Sequence, residues 1–220
     1  MRSPNFGPRR DGLRPELVVL HYTAMPTAES ALRALCDPER EVSAHYLIDA
    51  GGSVTALVDE EMRAWHAGAG EWDGRGDVNS RSIGIELAND GASPFAAAQM
   101  TALEALLGGI LDRWRIPPEG VIAHSDMAPG RKIDPGRRFD WRRLALQGLS
   151  VWPADGETEV DGETFRADAR AFGYPDVDDD LLLRTVRLRF RPWATGPLDG
   201  RDCALIADLA GRRGSSRSAT

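Results

Sequence analysis

Lysine is nearly missing from this 220-residue chain: Lys132 is the only one among 27 basic residues, the rest being arginine. A surface position tolerates either residue. A single compact ammonium in "AHSDMAPGRKIDPG" (123–136) is either an accident of composition or the mark of a confined place that a planar guanidinium would not fit. Cysteine is scarce too. Cys36 and Cys203 each sit in an apolar, helix-like run and read as buried free thiols rather than a disulfide between distant segments. No apolar run approaches the length of a bilayer span, which argues against a transmembrane segment. The basic residues are spread along the chain and the net charge is −7, which argues against a nucleic-acid partner, whose binding needs clustered positive charge. The opening "MRSPNFGPRRDGLRP" has no hydrophobic stretch and is not a secretion signal. If Met1 is the true start, the expected compartment is the cytoplasm. If a leader has been removed, it is the periplasm or the outer membrane. Oligomeric state has no signature.

What is present is an apolar fraction of 42% and a charged fraction of 28%, ordinary for a soluble globular protein. Residues 1–15 read as an extended arm. "LVVLHY" (17–22) reads as a buried strand ending near His21. "TAESALRALC" (27–36) reads as a helix capped by Thr27. "AHYLIDAGGSVTALV" (44–58) reads as a hairpin around Ala-Gly-Gly. "SIGIELA" (82–88) alternates, so Ile83, Ile85 and Leu87 face one way and Ser82, Gly84 and Glu86 the other. The long helix is expected over 93–114, with Ser93 as cap and Pro94 at its first position. "VIAH" (121–124) is another strand ending in histidine. This mixture predicts an α/β domain over 1–152, a mixed central sheet flanked by helices. An acidic, turn-rich linker follows over 153–163. Three short helices, over 164–173, 177–191 and 199–210, then suggest a small helical domain (164–211), with a disordered tail at 212–220.

His21 and His124 fall at strand ends, where an α/β sheet collects its functional groups. With Asp134 they make a plausible catalytic zinc set that leaves a fourth position for water. Spacing alone does not decide this, since such a pair is often structural. Glu86 shares its strand face with small residues and could line a cleft as a proton acceptor. It also fits a solvent-facing glutamate on a half-exposed strand. Lys132 would stabilise negative charge growing on a carbonyl oxygen under attack. His45 is a rival ligand. It and His66 equally fit hydrogen-bonded histidines that shape the site. Trp65 suits the core or a sugar platform.

The blocks "VVLHYTA", "VSAHYLIDAGGSV", "RAWHAG", "NSRSIGIELAN" and "IAHSDMAPGRKIDPGRRFDW" occur in order across residues 17–141. Together they resemble the zinc-dependent N-acetylmuramoyl-L-alanine amidases of the AmpD type, a family that also includes phage amidases and peptidoglycan recognition proteins. The resemblance implies one zinc on His21, His124 and Asp134, a catalytic glutamate at Glu86 and a lysine at Lys132. His45, Trp65, His66 and Asn79 stand beside these as candidate substrate-binding residues. The tail "FGYPDVDDDLLLRTVRLRFRPWATGPLDGRDCALIADL" resembles the three-helix peptidoglycan-binding domain that follows the amidase in the AmiD-like branch. That branch usually carries a lipoprotein leader, which is not visible here. The implied reaction cleaves the amide between N-acetylmuramic acid, or its anhydro form, and L-alanine of the stem peptide. The implied partners are peptidoglycan fragments or muropeptides. The alternative is a recognition protein that binds without cutting. Such proteins typically lack a ligand, whereas all three candidate ligands, Glu86 and Lys132 stand in this chain.

Overall fold

Leu17, Val18, Val19 and Leu20 are all buried, so the strand they begin has apolar side chains on both faces. Such a strand belongs in the middle of a parallel sheet with both faces covered. The computed structural model places it there, and describes residues 1–218, with side chains as far as residue 214. Among the described residues, seven strands are β1 (Phe6–Pro8), β2 (Leu17–Tyr22), β3 (Tyr46–Ile48), β4 (Val54–Ala56), β5 (Met62–Ala64), β6 (Ser82–Leu87) and β7 (Val121–Ala123). Five of them form one sheet in the order β4-β3-β6-β2-β7. The pairs β3/β6, β6/β2 and β2/β7 are parallel, and β4 returns antiparallel to β3. β1 pairs antiparallel with β5, which ties the N-terminal arm to the body. This is the mixed sheet expected from the sequence.

Helices α1 (Ala28–Leu35), α2 (Val78–Arg81), α3 (Ala97–Trp114), α4 (His124–Met127) and α5 (Trp141–Leu146) surround it. Thr27 caps α1 as expected, accepting from the Ser30 N–H while Ser30 returns a bond to Thr27. The long helix departs from its expected start. It begins at Ala97, not Pro94, because Ser93 is taken up by Asp90: its N–H and hydroxyl both donate to that carboxylate, at 2.7 and 2.9 Å.

Strand periodicity sorts the sheet into two faces. Val18, Leu20, Ile83, Ile85, Val121 and Ala123 pack with Leu103, Leu107 and Ile110 of α3. Leu17, Val19 and Ile122 point the other way, into a cluster with Trp72, Phe165, Phe172, Val186 and Ile206. This second face thus meets the C-terminal helices α6 (Gly162–Phe172), α7 (Asp179–Phe190) and α8 (Gly200–Ser218) instead of α3. These match the three expected helices, and their apolar residues join the sheet in one continuous cluster.

The expected disordered tail differs. α8 continues to Ser218, and residues 219–220 lie outside the described residues. Arg212 and Arg213 secure the extra turns. Arg212 pairs with Asp208 at 2.8 Å and donates to the Trp152 carbonyl. Arg213 pairs with Asp73 at 3.4 Å and donates to the Phe172 carbonyl. Both cysteines are free, Cys203 buried and Cys36 only half-buried. No helix among the described residues is long and apolar enough to cross a membrane.

Candidate metal centre and active site

Register fixes the site. Glu86 of β6 lies directly opposite His21 of β2, and Leu20 pairs with Ala123, so His124 follows β7 at the level of His21. By the period of two, these three residues continue the face of Leu17 and Val19, away from α3. They stand at the C-terminal edge of the parallel strands, where that face opens into a cleft of about 570 Å³. The loop after α4 brings Lys132 and Asp134 into the same cleft.

His21, His124 and Asp134 converge. His21 Nδ1, His124 Nδ1 and Asp134 Oδ2 form a triangle with all three edges at 2.9 Å. Each residue is at most 8% exposed. Among the described residues this is the cluster of His, Cys, Asp or Glu able to hold a metal ion.

The hydrogen-bond network tests whether an ion belongs there. His124 Nε2 lies 2.9 Å from the Ala67 carbonyl, an acceptor only, so Nε2 carries the proton and Nδ1 is a bare lone pair. His21 is fixed through a longer relay. The Ser82 hydroxyl donates to the Val78 carbonyl at 2.5 Å, so its oxygen accepts from His66 Nε2 at 3.1 Å. His66 Nδ1 is then bare and accepts from His21 Nε2 at 3.0 Å, which leaves His21 Nδ1 bare as well. Burial, then His124, pushes His21 down to about 4, and burial holds His66 well below its ordinary value, so both rings are neutral at pH 7. Two imidazole lone pairs and a carboxylate oxygen therefore face one another with no hydrogen between them. A cation resolves that repulsion. Two imidazoles with one carboxylate are a donor set that would suit a divalent metal ion.

Glu86 completes the cleft. Its Oε2 is buried and has no hydrogen-bond partner among the described residues. Burial, then the charge of Asp134, raises its pKa to about 8, while the Lys132 ammonium pulls the other way. Lys132 is half-buried in the cleft wall, and its N–H donates to the Ala128 carbonyl at 3.1 Å. The solvent-facing alternative for Glu86 is thereby removed.

The four remaining candidates divide. Trp65 and His66 line the cleft. His45 and Asn79 do not. His45 is fully buried beneath the sheet edge, where its Nδ1 accepts from the Gly84 N–H at 2.9 Å and its Nε2 lies 3.1 Å from the Met62 carbonyl. Asn79 is 6% exposed, and its Oδ1 accepts from the His66 and Ala67 N–H groups at 3.0 and 2.8 Å. Asn79 holds the loop that carries His66 and the Ala67 carbonyl, and His45 ties β5 to β6, both as supports away from the cleft. Their polar atoms are consumed by backbone groups that only the tertiary fold brings near. His66 likewise acts on His21 more than on the open cleft. Arg131 was not singled out from sequence. It donates to the Ala67 and Ala69 carbonyls, and its basic neighbours in the chain gave no signal for this.

An α/β sheet with a buried His-His-Asp triangle, an unpartnered glutamate and a lysine at one strand edge defines a metal-dependent hydrolase class. Residues 11–137 match the family model described as N-acetylmuramoyl-L-alanine amidase, and the chain belongs to that family. AmiD of Escherichia coli is 43% identical over 214 residues, covering 81% of this chain and 76% of the relative. AmpD of Haemophilus influenzae, a 1,6-anhydro-N-acetylmuramyl-L-alanine amidase, is 34% identical over 161 residues, covering 65% and 88%. The structure of E. coli AmiD in complex with anhydro-N-acetylmuramic acid-L-Ala-D-γ-Glu-L-Lys superposes with a TM-score of 0.82 over 97% of this chain and 93% of that one, at 33% identity on this longer overlay. AmpDh3 of Pseudomonas aeruginosa with anhydromuramic pentapeptide gives 0.82 over 96% and 95%, at 31% identity. The chain is accordingly an amidase.

Proposed function

We propose that this chain hydrolyses the amide between N-acetylmuramic acid, or anhydro-N-acetylmuramic acid, and the L-alanine of a peptidoglycan stem peptide, with one zinc ion held by His21, His124 and Asp134. The observation that carries this reading is the triangle of three lone-pair atoms beside the unpartnered Glu86 carboxylate. The relatives crystallised with anhydromuramoyl peptides support the substrate class.

Zinc held by His21, His124 and Asp134 would supply Lewis-acid chemistry there. The protein does the rest. Glu86 Oε2 accepts the proton of the attacking water and hands it to the leaving nitrogen of L-alanine. A carboxyl raised to about 8 by burial and Asp134, and lowered by any cation placed beside it, suits a group that must both take and give a proton near neutrality. The Lys132 ammonium donates to the carbonyl oxygen as negative charge grows there, a contact stronger in the transition state than in the substrate. His66 and Ser82 keep His21 in the tautomer that presents its lone pair. Trp65 offers a flat apolar wall to the substrate.

Mass spectrometry of products tests this. A purified anhydromuramoyl peptide should yield the free sugar acid and a peptide beginning with L-alanine, and chelator should stop the reaction. Cleavage at any other bond, or full activity in chelator, would refute the reading.

A further inference from the structure

His124 is the first residue of α4, a helix of four residues. One turn has no stability of its own, so something else must aim His124 Nδ1 at the triangle. Asp126 closes the turn: its Oδ2 accepts from the Ala123 N–H at 2.9 Å. Asp126 is itself held from outside the sheet. Arg189 of α7, far along the chain, donates from Nη1 to the same Oδ2 at 2.6 Å, and the Tyr174 hydroxyl donates to Oδ1 at 3.2 Å. The side chains of Arg189 and Asp126 are 1% and 0% exposed. Arg189 also donates from Nη2 to the Val121 carbonyl at 3.0 Å, at the head of β7, and its guanidinium lies 4.0 Å from the Trp141 ring centroid. One side chain thus clamps the strand before His124 and the turn after it. α7 reaches the second ligand-bearing segment as well: a Cβ on Gly130 would stand 3.2 Å from Leu181 Cδ2, so the loop leading to Asp134 rests on the same helix.

We propose that Arg189 is a positioning residue of the metal centre, fixing His124 through Asp126, and that the C-terminal helices are thereby part of the hydrolytic unit. The inference rests on the ligand set proposed above. Its test is the zinc dissociation constant, read by chelator competition on the full chain, with folding followed by far-UV circular dichroism. Arg189→Met should weaken zinc by about 10- to 100-fold, the range for loss of a group that orients a ligand. Arg189→Lys should recover part of that, because an ammonium reaches Asp126 but cannot bond Val121 at the same time. Arg187→Met is the control. Arg187 lies on the same helix, is also buried, and pairs at 2.5 Å with Asp202 inside the helical unit, away from α4. It should leave zinc affinity within about twofold of wild type. If Arg189→Met does not fold, Asp126→Asn serves, keeping a capping oxygen while removing the charge, and it too should weaken zinc. A folded Arg189→Met or Asp126→Asn with wild-type affinity would overturn the proposal, as would an equal loss in Arg187→Met. A wild-type chain that binds no zinc would instead refute the ligand set itself.

Discussion

At the scale of single residues, Lys132 and Glu86 divide the work that a metal leaves undone. Lys132 offers a compact charge that a guanidinium would aim differently. Lys132→Arg is therefore expected to keep zinc and lower kcat by about 10²–10³, equivalent to about 2.7–4 kcal/mol of barrier. Steady-state kinetics with a zinc assay checks this, and near-normal turnover would show that any cation serves. Glu86→Gln should keep zinc and lower kcat by about 10²–10⁴, the usual worth of a general base. The buried histidines give a pH signature. His21 and His45 are pushed down to about 4 by burial, and an unfolded chain protonates them near 6.5. A group whose folded pKa is depressed in this way favours the folded state above the unfolded value. The zinc-free chain should therefore lose stability as pH falls from about 6.5 to about 4, with protons taken up on unfolding. Urea titrations across that window measure it. A flat profile would mean that the rings are protonated in the folded state.

At the scale of elements, strand period and register place the chemistry. The alternation in "SIGIELA" put Glu86 on the face opposite the isoleucines, and the strand-ending histidines pointed to one sheet edge, so most of the proposed site was legible in sequence. The supporting roles were not. His45 and Asn79 are defined by bonds to backbone groups far away in sequence, and Ser82 by its bond to the His66 ring, and no local pattern encodes those partners. Ser93 shows the same limit at smaller range, because a competing carboxylate three residues earlier outbids the helix for its hydroxyl. Gly84 is where strand and relay meet: a Cβ there would stand 2.4 Å from His66 Cγ. Gly84→Ala must displace the His66 ring. It is expected to cost about 1–3 kcal/mol of stability and to weaken zinc through the relay. Thermal unfolding with and without metal separates the two effects, and unchanged values in both would place His66 outside the relay.

At the scale of the whole molecule, composition announced an appended helical unit but could not show how it joins. In the structure Phe165, Phe172 and Val186 share one cluster with Leu17, Val19 and Ile122, and the buried Arg189–Asp126 pair crosses between them. We propose that the two parts unfold together. Urea unfolding should give coincident single transitions by tryptophan fluorescence and far-UV circular dichroism. Two separated transitions would show an autonomous helical domain. The proposed reaction depends on three distant side chains holding one divalent ion. Elemental analysis of the purified chain, run beside His124→Ala and paired with a turnover assay, tests this most directly. About one zinc per wild-type chain, with both zinc and turnover lost in the variant, is the predicted result. A wild-type chain that is stripped of metal and still turns over at full rate would contradict it.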